Sequence, residues 1–120
     1  MIAGIGTDLV EVARVLKACE RPAFLNRIYT EREKELIAEN IRRAAGNFAV
    51  KEAVAKVFGT GFVSVRPSEI EVLRDERGKP YVVLWGNAKE LAARLGIERI
   101  HVSISDTKEL AIAFAVGETE

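Results

Sequence analysis

The chain has 120 residues, and 18 Lys and Arg balance 18 Asp and Glu, so the formal net charge is zero. This length predicts a single domain over residues 1–120, and the neutral charge argues against binding nucleic acid through bulk electrostatics. The longest uncharged stretches, Val57–Val65 and Pro80–Ala88, are far shorter than the roughly 20 residues that span a bilayer. One Cys and an apolar N-terminus without the basic start of a signal peptide predict a cytoplasmic protein.

The N-terminal segment is predicted to contain a short strand and a helix. Met1–Thr7 is rich in Ile and Gly and fits a strand whose backbone packs closely. From Leu9 onward the apolar residues recur at helical spacing, so we expect a helix that starts near Thr7 or Asp8.

Two further helices follow. The second is predicted from Thr30 to about Asn40, because Thr30 and Glu33 form a capping-box pattern. The third and longest is predicted over Arg42–Phe58, and Gly59 supplies a stop signal.

The C-terminal half is predicted to be mainly β. Glu69–Arg74 and Tyr81–Trp85 flank a turn-rich segment and predict a hairpin. Asn87–Gly96 is predicted as a short helix with an N-terminal Asn cap and a C-terminal Gly. Ile100–Ser105 and Leu110–Val116 then predict a final pair of strands.

The final strands differ in polarity. His101, Ser103 and Ser105 are expected on one side of their strand, because side chains alternate with period two. Leu110–Val116 is apolar on both faces, which is typical of a central strand or of one covered by another subunit. The predicted fold class is therefore α+β, with a small, mostly antiparallel sheet packed with helices.

Three segments carry candidate chemistry. Asp8 fits either a helix cap or a functional carboxylate, since helix N-termini favour anions. The glycines before Asp8 are too few for a dinucleotide-binding motif. Glu52 and Lys56 share a helical face and fit either a solvated ion pair or one wall of a cleft. The segment Gly59-Thr60-Gly61 fits a helix end or a loop whose backbone approaches a phosphate.

His101 is the only His, and a structural role is the commoner one for a lone His. Together with Ser103 it would also form a polar strip suited to phosphate or amide groups. A Ser-His-Asp hydrolase is excluded, because the strand lacks a strand-turn-helix nucleophile elbow. Cys19 is expected to be a small, semi-buried core residue.

A basic strip is predicted on the first helix. Arg14, Lys17 and Arg21 follow the spacing i, i+3, i+7 and would share one face. Such a strip is either solvated or docks an acidic helix and accelerates its association.

In combination, four segments resemble the holo-acyl-carrier-protein synthases, the small single-domain members of the 4′-phosphopantetheinyl transferase family. They follow in order along nearly the whole chain, and the Lys-Glu-Ala segment with its Gly-Thr-Gly end is the most specific. The segments are GIGTDLVEVARV (4–15), FAVKEAVAKVFGTG (48–61), GKPYV (78–82) and HVSISD (101–106).

The resemblance implies transfer of 4′-phosphopantetheine from coenzyme A to a serine hydroxyl of apo acyl carrier protein, for fatty acid biosynthesis, with release of adenosine 3′,5′-bisphosphate. Asp8 and Glu52 match the carboxylates that hold Mg²⁺, and Lys56 matches the lysine at the pyrophosphate. All three count as catalytic, and Glu52 would accept the serine proton directly or through a water. His101 matches a histidine near the nucleotide, and Arg14 lies on the helix that binds the carrier.

The resemblance also implies a homotrimer whose subunits share each site. Binding of coenzyme A is then assigned to residues of two chains, namely Lys56, Gly59, Thr60, Gly61, His101 and Ser103. One departure concerns Asn47, where many relatives have Arg; Arg42 or Arg43 would have to supply the cationic contact.

Two rival hypotheses describe proteins without catalytic activity. A non-catalytic α+β module that binds small ligands would explain the sheet and the short helices. A nucleic-acid-binding domain would use the basic first helix, but few of the eight aromatic residues lie near that helix.

Overall fold

Two antiparallel sheets and five helices make up the fold, in a computed structural model that describes all 120 residues. This arrangement confirms the predicted α+β class. A 3-10 turn at Pro67–Glu69 precedes β2. The elements in chain order are β1 (Ile2–Glu11), α1 (Val12–Ala18), α2 (Pro22–Ile28), α3 (Glu31–Glu39), α4 (Arg43–Phe58), β2 (Ile70–Arg74), β3 (Pro80–Leu84), α5 (Gly86–Arg94), β4 (Ile97–Asp106) and β5 (Leu110–Thr119).

The larger sheet has the strand order β1-β5-β4, and the smaller one pairs β2 with β3. The last strand is therefore central, which is one of the two alternatives that its apolar sequence left open. Its inward side chains Ala111, Ala113 and Ala115 are buried in the hydrophobic core together with residues of α4. Small side chains on this face let α4 pack close to the sheet.

Glycines bring β1 into direct contact with α4. A Cβ atom built on Gly6 would lie 1.9 Å from the Ala53 carbonyl oxygen, and one on Gly4 would lie 2.6 Å from the Val57 carbonyl oxygen. Both distances are far below a van der Waals contact, so only glycine fits at these two positions. This close approach is the role of the two N-terminal glycines, which formed no recognisable binding motif in the sequence.

The boundary predicted between β1 and α1 is wrong. The strand continues to Glu11, because Asp8 pairs with Ala113 and Glu11 with Leu110 of β5. Asp8 consequently lies within a strand and caps no helix. Helical spacing from Leu9 was misleading, since a partner strand about one hundred residues away satisfies the backbone instead.

The basic first helix is also shorter than predicted. α1 ends at Ala18, and a separate helix, α2, begins at Pro22, where the missing N–H of proline costs nothing. Arg21 is the N-cap residue of α2. The prediction that Arg14, Lys17 and Arg21 share one helical face is therefore wrong.

The other helix predictions are confirmed, with one change of cap. The Thr30–Glu33 capping box is present in full, and Gly59 ends α4 with a left-handed φ of 79°. α5 begins one residue before Asn87, whose side chain caps nothing; instead, a Glu69 carboxylate oxygen accepts from the Asn87 N–H at 2.8 Å. Sequence spacing could not find this cap, because the acceptor belongs to another element.

Candidate active site

Asp8, Glu52 and Lys56 come together between β1 and α4. The cross-strand partner of Asp8 is the buried Ala113, so the carboxylate points from the sheet towards α4. Lys56 Nζ donates to the Thr7 carbonyl oxygen at 2.8 Å and lies 3.4 Å from Asp8 Oδ1. The structure thus unites the three residues predicted to be catalytic, and Lys56 contacts the strand.

Both carboxyl groups are more easily protonated than an exposed acid. Burial raises the pKa of Asp8, and the nearby Lys56 ammonium opposes that effect. Burial also raises the pKa of Glu52, the negative charge of Asp8 raises it further, and Lys56 again acts in the opposite direction. Because two partly buried negative charges lie near a single ammonium, a bound cation would stabilise both ionised forms.

The donor set of this site fits magnesium. Mg²⁺ is often bound by one or two protein carboxylates, and waters and substrate phosphates supply its other ligands. Asp8 and Glu52 provide two carboxylates, and no group of three or more His, Cys, Asp or Glu side chains in the chain is arranged to hold a metal ion. Structural zinc sites need about four protein ligands, so this pair does not fit that class.

The Gly59-Thr60-Gly61 loop follows one turn after Lys56. Gly59 and Gly61 have φ values of 79° and 60°, and a Cβ atom at either would meet no atom within 4 Å. The glycines are therefore explained by backbone conformation, and the space beside them is open. Thr60 is exposed, and its hydroxyl hydrogen-bonds only within this loop, to the Gly61 carbonyl oxygen.

His101 and Ser103 lie on the opposite face of the same sheet. They pair with Val116 and Phe114, whose side chains point away from α4. His101 Nε2 lies 2.9 Å from a Glu118 carboxylate oxygen, and hydrogen bonds from His101 and Arg99 hold the pKa of Glu118 at about 2. Within one chain, therefore, the sheet separates His101 and Ser103 from Asp8 and Glu52.

Large apolar side chains are exposed on this outer face. Ile5 and Leu9 of β1 are each 60% exposed, and Ile112 and Phe114 of β5 are 43% and 47% exposed. Leu9 pairs directly with Ile112, so these side chains are contiguous. Contiguous exposed apolar surface is typical of an interface with another molecule.

The predicted basic strip forms a surface depression although it is not one helical face. Arg14, Lys17 and Arg21 are exposed and line a depression of about 670 Å³ together with Glu20. Arg14 also borders an apolar pocket of about 460 Å³ whose lining includes two aromatic rings that the sequence analysis did not single out, Phe24 and Phe48. Phe24 has only a position near the basic residues as a sequence signal, and Phe48 is the first residue of the segment 48–61 that carries the family resemblance.

Asn47 occupies the position at which many relatives have Arg and at which the family resemblance implies a contact to coenzyme A. Asn47 is fully buried, and its Nδ2 donates to Glu33 and to the Val72 carbonyl oxygen, both at 3.0 Å. Its side chain therefore contributes nothing to the open cleft. Arg42 donates to backbone oxygens of the β4–β5 turn, and Arg43 donates to the end of α3.

Two smaller expectations can be compared with the structure. Cys19 is a buried free thiol, as predicted. None of the helices combines the length and the apolar character needed to cross a bilayer.

Replacing Gly6 by Ala is expected to displace β1 from α4, because the new methyl group would overlap the Ala53 carbonyl. Overpacking of this kind usually costs about 1–3 kcal/mol. We expect the loss in thermal or urea unfolding, and lower activity because Asp8 moves away from Glu52. Lys89→Ala, an exposed change on α5, is the control. A Gly6→Ala protein as stable and active as the Lys89→Ala protein would contradict this interpretation.

Comparison with known proteins shows the family of this chain. Residues 4–115 match the model of the 4′-phosphopantetheinyl transferase superfamily. A holo-[acyl-carrier-protein] synthase of Lachnoclostridium phytofermentans is 63% identical over 118 residues, which cover 98% of this chain and 97% of the relative. One from Clostridium novyi is 47% identical and covers 100% of this chain and 90% of the relative.

Two solved structures support the same relationship. The holo-[acyl-carrier-protein] synthase of Neisseria meningitidis superposes with a TM-score of 0.90 at 34% identity, over 99% of this chain and 100% of that one. The Helicobacter pylori synthase, solved in complex with coenzyme A, gives a TM-score of 0.85 at 30% identity, over 95% and 99% of the two chains. The chain belongs to the 4′-phosphopantetheinyl transferase superfamily.

Proposed function

We propose that this chain transfers the 4′-phosphopantetheine group of coenzyme A to a serine hydroxyl of apo acyl carrier protein, in a Mg²⁺-dependent reaction that serves fatty acid biosynthesis in the cytoplasm. The observation that carries the proposal is the convergence of Asp8, Glu52 and Lys56 beside an open glycine loop. Two carboxylates and an ammonium are the groups that hold a metal-bound pyrophosphate and compensate its charge. The relatives from Lachnoclostridium phytofermentans and Clostridium novyi are named as synthases of holo acyl carrier protein, which supports the same carrier as substrate.

Asp8 and Glu52 would hold Mg²⁺, which when bound neutralises charge on the phosphate oxygens. Lys56 supplies a further positive charge one helical turn beyond Glu52. Its bond to the Thr7 carbonyl oxygen holds the ammonium at the same side of the cleft as Asp8. An ammonium fixed in advance stabilises charge that develops on non-bridging and leaving oxygens during phosphoryl transfer.

The transfer breaks one phosphoanhydride bond. The serine oxygen of the carrier bonds to the β-phosphorus of coenzyme A, and the bond from that phosphorus to the bridging oxygen breaks. Adenosine 3′,5′-bisphosphate leaves with the electron pair. Glu52 takes the serine proton directly or through a water, and the route through a water is favoured because a carboxylate that holds a metal ion is a weakened base.

We also propose that three chains assemble so that each site uses two of them. Asp8, Glu52 and Lys56 lie on the α4 side of the sheet, whereas His101 and Ser103 lie on its outer face. A nucleotide held at the first group can reach the second only on another chain. The exposed apolar side chains around Phe114 supply a surface for that contact, since homo-oligomer interfaces are comparatively apolar.

The carrier protein is proposed to dock on α1 and the start of α2. Arg14, Lys17 and Arg21 supply positive charge, and the pocket beside Phe24 and Phe48 accepts apolar side chains. Arg14 borders both features, and Leu9, which follows Asp8 in β1, lines the apolar pocket. An acidic helix with an apolar side would match this surface.

Arg14→Glu is expected to raise the KM for the carrier about tenfold, because an attractive charge becomes repulsive. The dependence of this KM on salt concentration should become weaker. The kcat at saturating carrier should change much less. Steady-state kinetics at two salt concentrations would measure both effects. Arg94→Glu, an exposed charge reversal on α5, is the control; equal KM values for the two variants would exclude docking at Arg14.

The function itself can be tested by incubating the protein with coenzyme A, Mg²⁺ and apo acyl carrier protein. Mass spectrometry should show that the carrier gains the phosphopantetheine mass. A ligand-binding module would bind coenzyme A and leave the carrier unmodified. No modification of several different carriers would refute the transferase proposal.

A further inference from the structure

A fully buried lysine precedes Glu52 in α4. Lys51 has no exposed surface, and a buried ammonium is costly unless its protons find acceptors. Lys51 Nζ donates to Glu33 Oε1 at 2.7 Å, to the Pro67 carbonyl oxygen at 2.9 Å and to the Ile70 carbonyl oxygen at 2.7 Å. All three ammonium protons therefore have partners.

These partners fix α4 to other parts of the fold. Glu33 belongs to α3, Pro67 begins the 3-10 turn, and Ile70 begins β2. Glu33 is itself held by its reciprocal bonds in the capping box. Lys51 thus attaches a single turn of α4 to three separate segments.

The next residues of α4 are held from the β1 side. The Ala53 carbonyl oxygen lies against Gly6, where no Cβ atom would fit. Lys51 and Ala53 flank Glu52 in the sequence, so two different contacts constrain the helix on either side of the metal-binding carboxylate. A change at either contact would allow α4 to rotate or shift.

We propose that Lys51 is a positioning residue that holds α4 at the rotation at which Glu52 meets Asp8; the proposal rests on the function proposed above. A carboxylate at the surface of a helix lies roughly 5–6 Å from its axis, so a rotation of about ten degrees moves it about 1 Å. A displacement of about 1 Å at a reacting group can lower the rate by about a hundredfold. Small rotations of α4 therefore matter for catalysis.

A matched control is available in the same buried region. Glu71 is also buried, and it accepts hydrogen bonds from the Thr30 hydroxyl and the Trp85 indole. It forms no hydrogen bond with α4. Its replacement leaves all three hydrogen bonds of Lys51 in place and removes only the attraction between the Glu71 carboxylate and the Lys51 ammonium.

The test compares Glu33→Gln/Lys51→Met with Glu71→Gln and wild type. The double change removes both charges, because removing one would leave the other buried and unpaired. At a temperature where circular dichroism shows all proteins folded, we expect the double variant to lose about 10- to 100-fold in kcat. Its KM for the carrier should stay unchanged, and Mg²⁺ alone should raise its melting temperature less than that of wild type.

Glu71→Gln should lose thermal stability but keep a kcat within about twofold of wild type and a normal Mg²⁺ response. The proposal is overturned if the folded double variant matches wild type in kcat and in the Mg²⁺-induced shift, or if Glu71→Gln loses as much kcat. If the double variant does not fold, Lys51→Met is the second variant, because the Glu33 carboxylate that it leaves keeps its hydrogen bonds from the Thr30 N–H and from Asn47 Nδ2. It should show the same changes, and unchanged values there would also overturn the proposal. An inactive wild type would instead refute the proposed function.

Discussion

Replacing Glu52 by Gln is expected to lower transfer by about a thousandfold or more, while the chain without metal remains at least as stable as wild type. The amide occupies nearly the same volume but cannot be a charged metal ligand or a proton acceptor. Both roles proposed for Glu52 are lost in one substitution. Lys56 and Asp8 keep their contact, because that contact does not involve Glu52.

The stability result follows from the pKa of Glu52. Burial and the charge of Asp8 raise this pKa above its value in the unfolded chain. The ionised form is therefore disfavoured in the folded state, and folding carries a penalty at any pH above the folded pKa. This penalty disappears as the pH falls below the unfolded pKa. At neutral pH Gln removes it, so the melting temperature without metal should be equal or higher.

Melting temperatures with and without Mg²⁺, together with kcat, test this prediction. Mg²⁺ should stabilise wild type, since a ligand that binds only the folded state raises its stability, and it should have little effect on Glu52→Gln. Glu90→Gln, an exposed change on α5, should leave activity and the Mg²⁺ response unaltered. Metal-dependent turnover that survives in Glu52→Gln would show that another carboxylate holds the ion.

Local signals predicted much of the architecture. The Thr30 capping box, the Gly59 stop and the turn between β2 and β3 each act within a few residues, and each was located from the sequence. Strand alternation also placed His101 and Ser103 on one face of β4. Such features depend on neighbouring residues alone, so their sequence patterns are informative.

Features that depend on distant partners were missed. β1 extends past Asp8 because β5, about one hundred residues later, pairs with it. Lys51 would be solvated on an isolated helix, and its burial requires a carboxylate from α3 and carbonyl groups near β2. The sequence likewise could not show that Asp8 and His101 occupy opposite faces of one sheet, because alternation within β4 does not reveal which face α4 covers.

Because Asp8 and His101 lie on opposite faces of one sheet, we expect activity to be recovered when two defective variants are mixed. Glu52→Gln should be inactive, and His101→Ala should be impaired at low coenzyme A if His101 contacts the nucleotide as the family resemblance implies. When the two are unfolded together and reassembled, some sites combine an intact Glu52 from one subunit with an intact His101 from its neighbour. In a ring formed at random from equal amounts, about a quarter of the sites should be of this kind.

Activity of the mixture at low coenzyme A should therefore rise to about a quarter of the wild-type value, well above the mean of the two separate variants. A mixture of Glu52→Gln and Lys56→Met is the matched control. Both residues come from the same side of the sheet, so no combination of these two chains restores a complete site. If each site instead belonged to one chain, neither mixture would recover activity. Recovery only with His101→Ala would place the outer face of one subunit against the carboxylates of the next, and would explain why Phe114 and its apolar neighbours are exposed in a single chain.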